Sequence, residues 1–251
     1  MFGWLIGRNK GFQPNTIPNM RLWLDATRIN QANNTAVATW ADQSGNGYDA
    51  TQSTTAARPT YIASGLNGLP VVRFDGTDDN LALSGGALGM LRNVAGATAF
   101  VVVKYPANST AMFPFAIRTE STGPRLQMLA SSANKFQTAG RRLQADTTIT
   151  LTSTQSVTTN AVIQTAFADY QNTILRQFIN GTIDGENLSF QTSGNTSNTD
   201  SNAISIGATA VPSFPLNGDI AEIIVYNRAL NTSELAQVHR YLSRKWGIQL
   251  A

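Results

Sequence analysis

The sequence predicts an all-β protein, an antiparallel jelly-roll β-sandwich with a short C-terminal helix closing one end. Three observations carry this. Short runs rich in Val, Ile, Phe and Thr recur along the 251 residues, separated by Gly, Pro, Asn and Asp turn signals. Hydrophobic residues make up 42% of the chain, enough for a core, but charged residues only 13%. The remaining polarity therefore rests on Thr, Ser, Asn and Gln, which suit the hydroxyl and amide faces of strands better than a helical protein. The chain then ends with an Ile-rich strand followed at once by an amphipathic helix.

Residues 1–19 read as an arm. Phe2, Trp4, Leu5 and Ile6 are apolar, Arg8 and Lys10 follow, and Pro14 and Pro18 favour an extended chain. Two readings stand for it: a cover folded against its own domain, or a partner anchor that docks Phe2, Trp4 and Ile6 on a larger assembly. Residues 20–251 contain no linker-like stretch and form one domain. Its first strands are Met20–Ala26 and Ala36–Asp42, the second bearing Trp40. Arg58, Pro59 and Tyr61 lead to the strand Val71–Asp75, a tight turn over Gly76–Asn80, and the strand Leu81–Leu83. Gly85–Gly96 is a loop with one helical turn. Thr98–Tyr105 is the most continuous apolar run and so a central strand.

Phe113–Arg118, Arg125–Ala130, Lys135–Thr138 and Arg142–Ala145 read as successive short strands. Thr147–Thr159 stays open between a strand with a hydroxyl face and a long loop. Ala161–Tyr170 and Ile174–Ile179 are strands, and Asn180-Gly181 is a hairpin turn, since both residues accept positive φ. The polar run Gln191–Asn202 is expected to be a mobile loop, and Ile204–Ile206 a strand. In the closing stretch, Ile223–Val225 implies a strand buried on both faces. Asn231, three residues before Glu234, starts a capping box. Leu235, Val238, Leu242 and Trp246 give the helix one apolar face, and Gly247 suits its left-handed end.

Gly218, Ile220, Glu222, Tyr226, Asn227, Arg228, Ala229, Leu230 and Glu234 form a pattern that resembles the closing segment of laminin-G-like domains in the concanavalin A-like lectin/glucanase superfamily. Ala221 stands where that family often has an acid. The loop Trp40–Ala50, the stretch VVRFDGTDDNLAL and the hairpin FINGTIDG are similar to further family segments. The resemblance covers about residues 20–248 and implies the concanavalin A-like jelly roll. Such domains occur in bacterial surface proteins and bacteriophage structural proteins.

Catalysis is not expected. A retaining glycosidase needs two carboxyl groups about 5 Å apart. The glutamates, Glu120, Glu186, Glu222 and Glu234, lack the close spacing along one strand that the related glucanases show. The single histidine, His239, reads as a surface position on the closing helix, so a Ser-His-Asp set has no basis. The absence of cysteine excludes disulfides and thiolate chemistry, and a zinc site lacks ligands. The net charge of +3 and the single adjacent basic pair, Arg141-Arg142, expected to be solvated, give no basis for nucleic-acid binding. No apolar run is long enough for a membrane span, and the first residues do not read as a signal peptide.

Asp42, Ser44, Asn46 and Gly47 match half of an EF-hand-type calcium loop, but Ser53 stands where the bidentate Glu is needed. Asp75, Asp78 and Asp79 are the densest carboxylate group, suited to a hard cation and equally to a turn. The turn is the preferred reading, so no cofactor is expected and calcium stays as the alternative. Two functions then remain. One is a surface-displayed recognition module that binds glycan through stacking aromatics, with Trp40, Tyr48, Tyr61, Tyr105, Phe113 and Phe115 as candidates. The other is a structural cement protein of a capsid or tail. The expected setting is a virion surface, as a head decoration or tail component held by the arm, with homo-oligomers compatible. A lectin-like module on a bacterial cell surface is the alternative.

Overall fold

A computed structural model describes residues 11–106, 110–118, 123–209 and 213–251. These contain seventeen strands and one α-helix. In chain order the strands are β1 (Met20–Asp25), β2 (Thr35–Ala36), β3 (Thr39–Trp40), β4 (Ala50–Thr51), β5 (Thr60–Leu66), β6 (Leu69–Asp75), β7 (Leu81–Leu83), β8 (Gly96–Lys104) and β9 (Met112–Arg118). There follow β10 (Arg125–Ala130), β11 (Lys135–Arg141), β12 (Ile149–Ser156), β13 (Val162–Asp169), β14 (Ile174–Ile179), β15 (Thr182–Asn187), β16 (Ala203–Ile206) and β17 (Asn217–Tyr226). The first sheet runs β15-β14-β13-β8-β17-β6-β5-β2, with β1 also paired to β17. The second runs β12-β11-β10-β9-β16-β7-β4-β3. Every pairing is antiparallel, so the expected two-sheet sandwich is what forms.

β17 explains its own composition. One edge pairs with β8 from Asp219 opposite Lys104 to Tyr226 opposite Thr98. The other edge pairs first with β6, over Asn217–Ile220, and then with β1, over Glu222–Tyr226. The register against β8 shifts between Ile220 and Glu222, where the second neighbour changes. A strand paired on both edges and covered on both faces has no solvent side, hence its Ile and Val run. Ile223 and Val225 point between the sheets with Val101, Val103, Phe115 and Met128. Ile224 and Tyr226 point outward, with Phe100, Val102 and Ile163, under the helix.

That helix, α1 (Thr232–Trp246), begins as a capping box. Asn231 Oδ1 accepts from the Glu234 N–H at 3.0 Å, and Glu234 Oε2 accepts from the Asn231 N–H at 2.9 Å. It ends at Gly247 with φ of 67°. Val238, Leu242 and Trp246 cover the outward face of the first sheet. Beneath α1 lies a buried polar clamp. Glu222 Oε1 accepts from Trp23 Nε1 at 2.6 Å and from the Tyr241 hydroxyl at 2.9 Å. Its Oε2 accepts from Lys245 Nζ at 2.8 Å and Trp246 Nε1 at 2.7 Å. Asp25, opposite Glu222 in the β1–β17 register, holds the same Lys245 at 2.7 Å. Burial pushes the Glu222 carboxyl up, and the Lys245 ammonium opposes it.

The arm is part of the domain from Phe12 onward. The Tyr226 hydroxyl donates to the Pro14 carbonyl at 2.8 Å, Ile17 is buried, and the Phe12 ring stands edge-on to Tyr241 at 6.0 Å. Residues 12–17 thus pack on their own domain, while Phe2, Trp4 and Ile6 lie outside the described residues.

Other expectations need correction. Residues 142–145 form a turn, because the Asp146 carboxylate accepts from the Leu143 N–H and folds the chain back. Thr60–Leu66, not assigned from sequence, is a strand. The open stretch after it in the chain, Thr147–Thr159, contains β12, whose Thr150, Thr152 and Thr154 form an exposed hydroxyl face. The run 191–202 is pinned: Thr196 is buried and donates to the Leu91 carbonyl, and Arg142 donates to the Asn195 carbonyl. Arg141 and Arg142 are buried rather than solvated. His239 is buried under α1, 3.0 Å from Thr165 Oγ1 and packed on Phe100 and Phe178.

Trp246→Ala is expected to destabilise the fold by about 3–5 kcal/mol. Trp246→Phe, which removes the indole donor but keeps a ring, should cost about 1–3 kcal/mol. An unchanged denaturation midpoint in the alanine variant would show that α1 does not seal the sheet. Burial pushes the His239 pKa down to about 4, against about 6.5 in an unfolded chain. Between these values the unfolded chain binds the extra proton. Stability is thus full above about pH 6.5 and falls, by at most about 3 kcal/mol from this group, as pH drops toward 4. In His239→Gln that part of the fall should vanish in melts taken across this range.

Candidate functional site

With α1 on the first sheet, the outward face of the second sheet carries no α-helix among the described residues. Register decides what this face presents. Leu126, Met128 and Ala130 of β10 enter the core, so Arg125, Gln127 and Leu129 point outward. Directly paired residues share a face. One row therefore crosses the sheet as Ala139 opposite Gln127, Gln127 opposite Ala116, Ala116 opposite Ser205, and Ser205 opposite Ala82. Two residues along, Arg141 faces Arg125, and Arg118 faces Ala203. On the other side of the row lie Leu129 and Phe113, which cluster with Ala116. The face is thus layered, with arginines, then small, amide and hydroxyl side chains, then apolar groups.

Two polar atoms in the middle row stand out. Gln127 and Ser205 are each 4% exposed, and neither Gln127 Nε2 nor Ser205 Oγ has a hydrogen-bond partner among the described residues. Buried polar atoms without partners are uncommon and mark places where water or a ligand completes the set. Ser205 borders a cavity of about 230 Å³ whose floor includes Ala82 and Ala203. Asn80, Ser84, Leu88, Asn202 and Thr209 wall it. This mixture of amide and hydroxyl groups around one apolar wall suits a polyhydroxylated ring of about monosaccharide size.

The segment from β16 to β17 brings an aromatic to this face. Gly207 turns the chain at φ of 81°, and a Cβ there would lie 2.1 Å from the Phe74 ring, so only glycine fits. Beyond it Thr209 bonds back to the Ser213 carbonyl, and Phe214 stands beside Phe113 with ring centroids 5.8 Å apart. Phe214 is 51% exposed and has φ of 56°. A bulky side chain in the left-handed region is strained.

The stacking candidates read from sequence divide accordingly. Trp40, Tyr61, Tyr105 and Phe115 are buried core residues and offer no ring face to solvent. Tyr48 is half-buried, and Arg21 donates to its hydroxyl at 2.7 Å. Phe113 alone among them lies on the outward face of the second sheet. Phe113 and Phe115 part because β9 carries a bulge against β10: Met128 opposes Phe115, but Ala130 opposes Met112. Sequence reasoning missed Gln127, Ser205 and Phe214. The signal for Phe214 was its place between Pro212 and Pro215. A larger cavity, about 420 Å³, lies along α1 beside Gly11 and Phe12, where the described chain begins.

The carboxylates are occupied structurally. Asp42 accepts from the N–H groups of Trp23, Ser44 and Tyr48 and from the Ser44 hydroxyl, and so holds its own loop. Asp75, Asp78 and Asp79 bring ligand atoms within 4.8 Å of one another. Within this group Asp79 Oδ2 accepts from the Asp75 N–H and Asp75 Oδ1 from the Thr77 N–H, as in a turn. Burial, with Asp75 and Asp78 adding, pushes Asp79 up to about 6. Glu222 is buried inside its clamp and does not line the cavity along α1. The expected outcome is that chelator leaves the melting temperature unchanged. A sharp drop, mimicked by Asp75→Asn, would instead assign a calcium site to this turn.

The comparisons with known proteins agree with this architecture. No curated protein matches the chain. Among solved structures, the botulinum neurotoxin serotype D ligand binding domain in complex with N-acetylneuraminic acid superposes with a TM-score of 0.62 at 10% identity. The match covers 89% of this chain and 51% of that one, so this chain spans about half its length. Domain 4 of AbnA, an extracellular GH43 arabinanase from Geobacillus stearothermophilus, in complex with arabinotriose, gives 0.62 at 15% identity over 84% of this chain and 100% of its own. The CBM40 of the Ruminococcus gnavus IT-sialidase, bound to α2,3 sialyllactose, gives 0.55 at 16% identity over 67% and 95%. These identities establish a shared fold. The sequence itself matches the family model over residues 75–236, and the chain belongs to the concanavalin A-like lectin/glucanases superfamily.

Proposed function

We propose that this domain is a non-catalytic saccharide-recognition module whose ligand binds on the outward face of the second sheet, at the cavity bordered by Ser205. The observation that carries this is the buried Ser205 hydroxyl, without a hydrogen-bond partner among the described residues, at a cavity walled by Asn80, Ser84, Asn202 and Thr209. Sugar hydroxyls are both donors and acceptors, and such a wall answers both. The exposed, strained Phe214 beside Phe113 supplies an aromatic surface at the same face. Three structures of similar fold hold N-acetylneuraminic acid, arabinotriose and sialyllactose, which supports the ligand class. The non-catalytic reading is supported by the strands of this face, which carry no Asp or Glu among the described residues. The paired carboxyl groups of a glycosidase have no material there.

The setting we propose is a virion surface, with a bacterial cell surface as the alternative. Its support is the cysteine-free, Thr/Ser/Asn/Gln-rich chain and the apolar head Phe2, Trp4 and Ile6. Since the chain packs on its own domain from Phe12 onward, the anchor reading now concerns residues 1–10. Their removal should leave the melting temperature unchanged and abolish joining to a particle.

The ligand reading is tested on a glycan array followed by calorimetry. Ser205→Val and Phe214→Ala should each weaken binding of whichever saccharide is found by about tenfold, with an unchanged melting temperature and no release of reducing sugar. Binding unaffected by both substitutions would place the site elsewhere. Absence of binding across the array would favour the structural-cement role.

A further inference from the structure

Of the three described tryptophans, two donate their indole N–H to Glu222, Trp23 at 2.6 Å and Trp246 at 2.7 Å. The third, Trp40, is fully buried in the core, and its Nε1 has no hydrogen-bond partner among the described residues. A buried indole N–H usually finds an acceptor, so an orphan one marks a place that water or a ligand completes. Trp40 also borders a cavity of about 190 Å³ at the rim of the sandwich. This cavity is distinct from the one at Ser205. The two share no lining residue, and Trp40 points between the sheets whereas Ser205 points outward beside Ala116.

Both walls of this cavity follow from local chemistry. On one side, Asp25 Oδ1 accepts from the Thr27 N–H at 3.0 Å and from its hydroxyl at 2.7 Å. These bonds close the 3-10 turn Ala26–Arg28 and leave Arg28 at its end, with Ile29 packed against the core. On the other side stands β3, the last strand of the second sheet, with Thr39 opposite Thr51 and Trp40 opposite Ala50. The Arg28 side chain is 57% exposed, and its ion pair with Asp25 is long, 3.7 Å from Nε to Oδ2. Lys245 Nζ holds that same oxygen more closely, at 2.7 Å. The terminal nitrogens of the Arg28 guanidinium therefore keep their donors, since Nε makes its closest approach to an acid. Asn30, Gln31 and Thr39 complete the wall, and their exposed side chains hold no hydrogen-bond partner among the described residues.

None of the residues lining this cavity is acidic. An indole N–H and a guanidinium only donate, so a group that meets both must be an acceptor with more than one lone-pair site. A carboxylate has two such oxygens, and a charge-assisted bond to it is about twice as strong as a neutral one. The Asn30 and Gln31 amides and the Thr39 hydroxyl both donate and accept, and so answer hydroxyl groups. Against ~30 Å³ for each water displaced, the cavity admits a molecule of about three to six carbons. We propose that this rim cavity is a second binding site, for a small hydroxy acid. The carboxylate sits between Trp40 Nε1 and the Arg28 guanidinium, and the hydroxyls meet Asn30, Gln31 and Thr39. The site stands independently of the saccharide reading above.

The test titrates the full, nitrogen-15-labelled chain with D-glycerate and D-gluconate, with their neutral counterparts glycerol and sorbitol, and with sulfate. At least one acid is expected to move the Trp40 indole N–H signal, identified by its loss in Trp40→Phe. The signals of Trp23 and Trp246, held by Glu222, should stay in place. The acid should bind at least tenfold more tightly than its neutral counterpart, with the difference shrinking at high salt. Arg28→Gln should bring the two within about twofold by weakening the acid alone, at an unchanged melting temperature. If Trp40→Phe unfolds, backbone connectivity assigns the signal and Arg28→Gln carries the comparison. A Trp40 signal that neither acid moves overturns the site. Equal binding of acid and neutral counterpart, a preference that survives Arg28→Gln, or sulfate binding as tightly as the acids overturns its carboxylate assignment. Ser205→Val should leave the shift unchanged, and its loss in that variant would place the acid in the other cavity and overturn a second site.

Discussion

The structure turns on one buried carboxylate. Glu222 lies in the strand that touches the most neighbours, and it is closed in by two indoles, a phenol and an ammonium. An isolated buried charge costs several kcal/mol, and only a full set of donors offsets this. The four donors come from two elements, Trp23 from β1 and Tyr241, Lys245 and Trp246 from α1, and they close on Glu222 of β17. Because its donors sit on both β1 and α1, satisfying this carboxylate couples the position of α1 to the strands beneath it. Val238 and Leu242 pack the helix onto the outward apolar layer. The clamp adds directional bonds from the last turns of the helix, and the capping box at Asn231 and the left-handed Gly247 fix where the helix starts and stops.

This division explains why the two sheets look different. The first sheet is covered outside by α1 and by residues 12–19, and its outward residues Phe100, Val102, Ile163 and Ile224 form a second apolar layer. Its far edge is tied to the second sheet by Asp184 of β15, which accepts from Ser153 and Thr154 of β12. Those bonds hold the Asp184 carboxyl below its ordinary range, although burial works against them. Stability is thus concentrated on one side and at the edges. The outward face of the second sheet carries an amide and a hydroxyl without partners among the described residues, and an exposed aromatic in the left-handed region.

Much of the fold was legible in the sequence because it depended on local chemistry. The Ile-rich run of β17, the continuous apolar run of β8, the Asn180-Gly181 turn and the capping box each follow from two to eight consecutive residues. The errors came where a distant partner decides. His239 reads as a surface histidine until Phe100, Phe178 and Thr165 from the sheet are placed against it. The run 191–202 reads as mobile because its anchors, Leu91, Val94 and Arg142, lie far away in the chain. The candidate site was hardest. Aromatics are the obvious readers of sugars, yet most of these fill the core, and a bulge at Phe113 and Pro114 reversed the parity that would have placed Phe113 with Phe115. Ser205 and Gln127 carry no sequence signal at all, since their meaning lies in what is opposite them.

That last point bears on how this face is built. Alternation along each strand supplies one side chain to the face at every second residue, so a row across the sheet samples residues from β7 to β12 that are far apart in sequence. Ala82, Ser205, Ala116, Gln127 and Ala139 come from five strands, yet register alone makes them neighbours. Small residues at three of these positions lower the floor, and the two polar members are set into it. Leu129 with Phe113 on one side and the arginines on the other form its walls. A trough of this kind needs the strands to keep their register to within one residue, since a single slip would send the row into the core. The trough therefore depends on the pairings of β7, β16, β9, β10 and β11 as much as on the residues that line it.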